Sequence, residues 1–342
     1  MSIFDIFKPR ASGGAIGDDE RRMIFWHLKR KSSYTLWKAY ADAFDRFADV
    51  VERQVNEEPV AVPPGATPEW GTHWEDNYID VMKGQVYFEQ GLERLLQGDR
   101  SVWLYNDRGV LVDALDIAGH WFMAIVNHGM RGDQTYDGKY VPEMTQALLA
   151  MSAFSEATAG IAEGQMADTP ASEFWFPEWV AYNAEKVPFP ADPGEVPAPT
   201  QALAVRTGDN VPVYGIYEPS IAGGCMNYLL ADTPAPQVQV FISDDDGSEY
   251  RSTTWKLVWE DTRYVDGLIP AEEKRYVVDK PSAIAAPVAG GDDMLSAMSG
   301  QPCPRKGVWA AADDLAARQA FKVGDILPQN AGRDTVWVWS GD

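Results

Sequence analysis

A proline-rich segment near the middle of the chain separates two stretches whose residue patterns predict different kinds of structure. It spans Val187–Pro199, where prolines recur among small, apolar and acidic residues. Repeated prolines favour an extended backbone and exclude helix. We therefore predict a stiff linker over residues 187–200, with one domain before it and another after it.

The stretch before the linker has helical periodicity. After a flexible arm at 1–17, Asp18–Glu20 suits a helix start, and one long helical run follows. Large side chains spaced three and four residues apart predict its buried face: Trp37, Tyr40, Phe44, Phe47 and Val51. Further helices are predicted over 75–97, with Tyr78, Met82, Leu92 and Leu95 inward, over about 108–128, and from Pro142 to about 164. Residues 18–186 are predicted to form an α-helical domain.

The stretch after the linker has short runs rich in Val, Tyr, Thr and Trp, broken by Gly, Pro and Asp. This composition, with its regular breaks, is typical of β structure. Strands are predicted at 211–217, 237–243, 253–260, 274–278 and 335–339, with one short helix at 311–321. The predicted fold is α+β with two domains: an N-terminal all-α helical bundle and a C-terminal mostly-β domain over 201–342.

The charge balance restricts the partners of the chain. Its 342 residues carry a formal net charge of −22, and the acidic excess is spread over both halves. Such a field repels nucleic acid and anionic membranes and attracts basic partners, although solubility alone would also explain it. No window approaches the roughly 18 apolar residues of a membrane span. With two cysteines and no secretory leader pattern, the sequence predicts a cytoplasmic protein.

No stretch carries a nucleophile, phosphate-binding or metal-binding signature. Cys225 and Cys303 lack a partnered histidine pattern. Asp116 and His120 are four residues apart on a predicted helix, which would allow a shared metal, but no further ligand spacing supports one. Ordinary capping or core roles for the histidines are the alternative. We predict no catalytic residue, no metal and no cofactor.

The strand predicted to end at Tyr264 carries paired charges. Alternation places Trp255, Leu257 and Trp259 on one face, and Asp261 and Arg263 continue that face. The two opposite charges predict an ion pair at the rim of a tryptophan-lined core. This pair either orders the end of the strand or, together with Tyr264, contacts a partner.

Three adjacent carboxylates form a second candidate contact. Asp244, Asp245 and Asp246 precede Gly247 and Ser248, and this composition predicts a tight turn at a hairpin tip. The turn is either a solvated surface feature or a projection that enters a basic cleft of a partner.

These residues resemble those of bacterial polymorphic-toxin immunity proteins. The C-terminal half resembles the mostly-β immunity protein 72 family, whose Trp-x-Asp-x-Arg-Tyr motif corresponds to Trp259, Asp261, Arg263 and Tyr264. Segments around Gly215–Pro219, which includes Glu218, around Asn227–Leu229 and around Pro304–Trp309 also resemble that family. The N-terminal half is similar to the all-helical immunity protein 71 family through its aromatic helix at Met23–Val51 and the order of the two domains.

The resemblance implies neutralisation of a cognate toxin by direct binding, with delivery of that toxin by a type VI secretion system as the usual setting. It transfers no catalytic residues, and it implies a structural role for the motif residues and Glu218. A toxin that acts on nucleic acid or a nucleotide would present a basic cleft to this acidic chain. Two alternatives stay open: a hydrolase that reverses a toxin's modification, and an adaptor or chaperone that loads the toxin.

Overall fold

The computed structural model describes residues 16–57, 74–104, 109–127, 139–152, 154, 161–162, 165–166, 176–186, 189–243, 247–277, 296–303, 305–311, 314–330 and 336–341. The chain forms two compact units. The first comprises Met1–Trp121 and Gln146–Val278, and the second comprises Phe122–Thr145 and Asp279–Asp342. Most of the helices and the first β-sheet therefore lie in the first unit, and the helix Val141–Ser152 spans the division between the two. The division into separate domains at 18–186 and 201–342 remains a prediction.

The N-terminal region is helical, as predicted. Its α-helices are α1 (Asp18–Lys31), α2 (Tyr34–Glu57), α3 (Trp74–Leu96), α4 (Val110–Trp121), α5 (Val141–Ser152) and α6 (Phe176–Lys186), and a 3-10 turn covers Ser101–Trp103. The five large side chains predicted to face inward on α2 are all buried. The predicted single long run is instead two helices, which break at Ser32 and Ser33. Among the described helices, none has the length and apolar character needed to cross a membrane.

Helix α3 buries a different stripe from the one predicted. Leu92 and Leu95 are buried as expected, but Met82 is exposed, and Val81 and Phe88 are buried in its place. The buried stripe also includes Gly84, where a Cβ would lie 2.7 Å from the ring of Phe44 on α2. The face of α3 toward α2 therefore includes a glycine, and a pattern of large apolar residues does not reveal such a position.

The C-terminal region is mostly antiparallel β-structure, as predicted. The strands of the first unit are β1 (Ile161–Ala162), β2 (Gln165–Met166), β3 (Thr200–Arg206), β4 (Gly215–Pro219), β5 (Asn227–Leu229), β6 (Val238–Ser243), β7 (Gly247–Arg251) and β8 (Thr254–Glu260). Six of them form a sheet in the order β1-β2-β5-β4-β8-β3, and β6 pairs with β7. The segment predicted as a strand at 274–278 is wrong over its described residues, because a 3-10 turn occupies Ala271–Arg275.

The two faces of the six-stranded sheet contact different layers. Tyr217, Leu229 and Trp255 pack with Val238 and Val240 of the β6–β7 hairpin in one apolar core. On the other face, the ring of Tyr228 lies 5.8 Å from Trp103, and the ring of Trp259 lies 6.3 Å from Phe25 of α1. The sheet is thus sandwiched between a hairpin and the helices.

A β-bulge in β8 changes the direction of its last side chains. Ile216 pairs with Trp259, but the next residue, Tyr217, pairs with Leu257, so Val258 is an extra residue. An inserted residue shifts every later side chain to the opposite face. The prediction that Trp259 shares a face with Trp255 and Leu257 is therefore wrong: Trp259 points toward α1, and the motif that follows it does too.

The second unit contains a four-stranded antiparallel sheet. Its strands are β9 (Ser296–Met298), β10 (Gly307–Ala311), β11 (Asp314–Phe321) and β12 (Val336–Gly341), in the order β11-β10-β12-β9. The predicted helix at 311–321 is wrong, because most of this segment is β11, paired with β10. The core of this sheet includes Cys303, Trp309, Phe321 and Trp337.

Gly215 is essential for the pairing of β4 with β8. A methyl group at this position would lie 2.2 Å from the carbonyl oxygen of Trp259. We expect Gly215→Ala to lower the free energy of unfolding by about 1–3 kcal/mol, the scale of an overpacked interior. The matched control is Gly119→Ala on α4, where nothing lies within 4 Å; there alanine should stabilise by about 0.5–1 kcal/mol. Denaturant unfolding of both variants measures these changes, and two changes of the same sign would contradict the packing described here.

Candidate functional site at the helix–sheet junction

The residues after β8 form a buried charge cluster against the junction of α1 and α2. Asp261 lies at its centre, with a side chain that is 0% exposed, while the side chains of Arg100 and Arg263 are 1% and 5% exposed. All members belong to the first compact unit. The buried charge cluster comprises Arg100, Tyr228, Asp261, Arg263, Tyr264 and Glu273.

Asp261 accepts hydrogen bonds from three other side chains. Arg263 donates from Nε and Nη2 to its two carboxylate oxygens, each at 2.8 Å. Arg100 Nη2 lies 3.1 Å from Oδ1, and the Tyr228 hydroxyl donates to Oδ2 at 2.8 Å. The predicted pair of Asp261 and Arg263 is present, but it lies in the interior rather than at a rim. Each oxygen of the buried carboxylate has more than one donor, as a buried charge requires.

Arg263 also caps the C-terminal end of α1. Its Nη1 donates to the carbonyl oxygen of Lys29 at 2.9 Å, and its Nη2 donates to the carbonyl oxygen of Ser32 at 2.9 Å. The last carbonyl groups of a helix have no intrahelical donors and carry partial negative charge. The guanidinium of Arg263 thus neutralises Asp261 on one side and the end of α1 on the other.

Glu273 provides the complementary contact at the start of α2. One of its carboxylate oxygens accepts the backbone amide of Thr35 at 3.0 Å and the Thr35 hydroxyl at 2.8 Å. The other oxygen accepts the hydroxyl of Tyr264, and that hydroxyl in turn accepts the backbone amide of Tyr34 at 2.7 Å. A helix N-terminus attracts negative charge, and α2 has no acidic residue in its own first turn. Glu273 supplies that charge from the β region.

Tyr264 adopts a backbone conformation that bulky residues avoid. Its φ angle is 69°, in the left-handed region. Such a conformation costs about 1–3 kcal/mol and persists only where the surroundings enforce it. The surroundings here are the Glu273 carboxylate at the hydroxyl and the Arg100 guanidinium 5.0 Å from the ring centroid. The cluster therefore fixes the direction in which the chain leaves β8.

The protonation states of the cluster follow from its geometry. Burial alone would raise the pKa of Asp261, but the guanidinium groups of Arg263 and Arg100 outweigh burial and lower that pKa below its ordinary value. Burial raises the pKa of Tyr228 well above its ordinary value, and the neighbouring Asp261 carboxylate raises it further. Asp261 is therefore a carboxylate acceptor and Tyr228 a phenol donor at neutral pH.

Two further ion pairs connect α1 with the β region. Glu218 on β4 accepts both Nε and Nη2 of Arg21, at 2.7 and 3.0 Å. Lys29 pairs with Glu272 at 2.6 Å, and its ammonium lies 5.1 Å from the ring centroid of Trp259. Sequence reasoning singled out Glu218 and Trp259, and the structure places both against α1.

The other candidate residues lie elsewhere. Asp244, Asp245 and Asp246 fall outside the described residues, between β6 and β7 in the sequence. Asp116 and His120 are exposed on α4. Within the described ranges, no three His, Cys, Asp or Glu side chains are grouped in a way that would hold a metal ion.

Sequence reasoning missed Arg100 and Glu273, and it did not assign Tyr228 to the site. Arg100 contacts Asp261 across 161 positions of the chain, and Glu273 contacts Thr35 across 238. One signal was available for Glu273: a helix starting at Tyr34 without an acidic first turn needs negative charge from elsewhere. For Arg100 no local pattern in the sequence points to the site.

The buried charge cluster holds the α1–α2 junction against the segment that follows β8. Its charged groups are saturated by one another and by two helix ends, and Tyr264 is only 2% exposed. Direct contact of a partner with Tyr264 would therefore require the α1–α2 junction to separate from the sheet. Contact between Tyr264 and a partner remains a prediction, and it requires this separation.

Comparison with protein families identifies the class of the chain: it is matched by two families of immunity proteins. Residues 16–172 match the family described as Immunity protein 71, and residues 220–277 match the family described as Immunity protein 72, in the order predicted from the sequence. Arg100 lies in the first matched region, and the other five cluster residues lie in the second. Glu218 falls just before the second region. Neither a curated protein nor a solved structure matched the chain significantly.

Proposed function

We propose that the chain neutralises a cognate secreted toxin by direct binding and so protects the bacterium that makes it. The observation that carries this proposal is the presence of two immunity-family regions in one chain, at 16–172 and 220–277. The proposal includes delivery of the toxin by a type VI secretion system and action of the immunity protein in the cytoplasm. It requires no cofactor and no catalytic residue.

The arrangement of the motif supports binding through a preformed surface. The motif residues Trp259, Asp261, Arg263 and Tyr264 contact α1, the start of α2 and one another. Their interactions stiffen the junction between the two family regions. Binding surfaces that are rigid before contact lose less conformational entropy on association. The motif therefore serves toxin binding indirectly, by fixing the geometry of the helix–sheet junction in the first unit.

The net charge of −22 supports a basic toxin surface as the partner. Opposite charge on two proteins accelerates their encounter, and this attraction is screened by salt. A toxin that acts on nucleic acid or a nucleotide carries such a surface, so we propose that class of cleft as the target. The Asp244–Asp246 segment remains a proposed contact for it.

Electrostatic steering makes a kinetic prediction for the complex with the cognate toxin. We expect the association rate constant to fall by about tenfold or more between low ionic strength and the range where the Debye length reaches about 8 Å. The dissociation rate constant should change less, because it depends on desolvated contacts at the interface centre. Stopped-flow mixing at two salt concentrations measures both. An association rate indifferent to salt would rule out the basic cleft, and an absence of binding would rule out the proposed function.

A further inference from the structure

An exposed apolar turn follows the buried charge cluster directly. Val265, Leu268 and Ile269 are 77%, 68% and 46% exposed, within five consecutive residues. Single exposed apolar residues are ordinary, but several large ones on one short turn mark interaction surfaces. We name Val265–Ile269 the apolar turn.

Both ends of the apolar turn are fixed to buried residues. At its start, the amide of Gly267 donates to the carbonyl oxygen of Tyr264 at 2.8 Å, which closes a tight turn. At its end, the amide of Glu273 donates to the carbonyl oxygen of Pro270 at 3.0 Å. Within it, the amide of Leu268 donates to Asp266 Oδ1 at 3.0 Å. Tyr264 and Glu273 are members of the buried charge cluster, so the exposed side chains stand on a rigid support.

Exposed charges of both signs lie next to the apolar turn in the chain. Asp266 lies within it, Glu260 and Glu272 lie on either side, and Lys274 and Arg275 follow. The chain as a whole is strongly acidic, with a net charge of −22, so an apolar cleft set in a basic surface would complement it. A second copy of this chain is a poor occupant, because it carries the same net charge of −22.

We propose that the apolar turn is the central anchor of the toxin complex: Val265, Leu268 and Ile269 enter an apolar cleft on the toxin whose border is basic. This inference rests on the proposed function and assigns its contact surface. It also accounts for the strained backbone of Tyr264, because this residue, with a φ angle of 69°, lies directly before the turn. The buried charge cluster then acts as the support that holds the anchor in place.

The test compares two triple variants in binding to the cognate toxin, for which the product of the neighbouring gene is used. The first variant is Val265→Thr, Leu268→Asn and Ile269→Thr. The matched control is Ile79→Thr, Met82→Asn and Val86→Thr on α3, where three apolar side chains are 54%, 45% and 43% exposed. We expect the first variant to bind at least about 30-fold more weakly, the scale of losing an interface hot spot. The control should bind within about twofold of the original chain, as residues outside a hot spot do.

Each outcome decides the assignment. Equal binding by the first variant and the original chain overturns it, and so does equal weakening in both triple variants. A dimer of the original chain that becomes a monomer in the first variant shows a self-association surface instead. If the original chain does not bind the toxin at all, the proposed function itself fails. Should the first variant unfold, amide hydrogen exchange of the original chain decides: toxin must slow exchange across Val265–Ile269, and unchanged exchange there overturns the proposal.

Discussion

Replacing Asp261 with alanine should lower the free energy of unfolding by about 3–5 kcal/mol, the scale for breaking a buried ion pair from one side. The variant would leave the guanidinium groups of Arg100 and Arg263, whose side chains are 1% and 5% exposed, without their central counter-ion. Glu273, at 3.5 Å from Arg263, is the nearest remaining carboxylate described in the cluster. Denaturant unfolding followed by tryptophan fluorescence measures the loss, and a change below about 1 kcal/mol would show that the charges are not buried as described.

An exposed ion pair provides the matched control. Glu249 pairs with Arg251 on β7, where both side chains are about half exposed, so Glu249→Ala should cost at most about 1 kcal/mol. The interaction itself is isolated by a cycle of Asp261→Ala, Arg263→Met and the double variant. Because the two side chains share two hydrogen bonds, the double variant should lose at least about 1 kcal/mol less than the sum of the single losses. Additive losses would mean that the pair does not interact.

The same substitution should alter the response to acid. The pKa of Asp261 is lower in the folded chain than in the unfolded chain. Between those two values the unfolded chain binds more protons, so this stabilisation is present above about pH 4 and is lost as the pH falls below it. The original chain should therefore lose stability more steeply below about pH 4 than Asp261→Ala does. Parallel acid profiles for the two chains would contradict the lowered pKa.

The sequence was sufficient to predict the order of helical and β regions and the buried face of α2, because both depend on local periodicity. It was not sufficient for the face of Trp259. One extra residue at Val258 reverses the alternation, and the pairing partner that reveals it, Ile216, is more than 40 positions away. Alternation within one strand carries no information about a bulge, which is defined by two strands together.

Tertiary pairing also overrode local propensity. The segment Asp314–Phe321 is rich in alanine, which favours helix, but it forms β11 beside β10. Arg100 shows the same limit at the site. Arg100 lies shortly after the end of α3, and no feature of the nearby sequence indicates that its side chain is buried. Only the fold brings it within 3.1 Å of Asp261. The pair of Asp261 and Arg263 was predictable because the two residues are close in sequence, but their burial was not.

The buried charge cluster connects the two family regions physically. Arg100 comes from the region matched by Immunity protein 71, and Asp261 comes from the region matched by Immunity protein 72. Arg263 and Glu273 satisfy the two helix ends at the α1–α2 junction. The charged groups of the motif therefore stabilise one compact unit.

A titration of toxin activity tests the central claim, neutralisation by stoichiometric binding, most directly. The purified chain is added in steps to a fixed amount of the cognate toxin, and the remaining toxin activity is measured at each molar ratio. Because each bound toxin removes one immunity protein from solution, we predict a linear fall that reaches zero at one-to-one equivalence. Complete loss of activity at a small fraction of equivalence, continuing with time, would show turnover by an enzyme and would contradict the account.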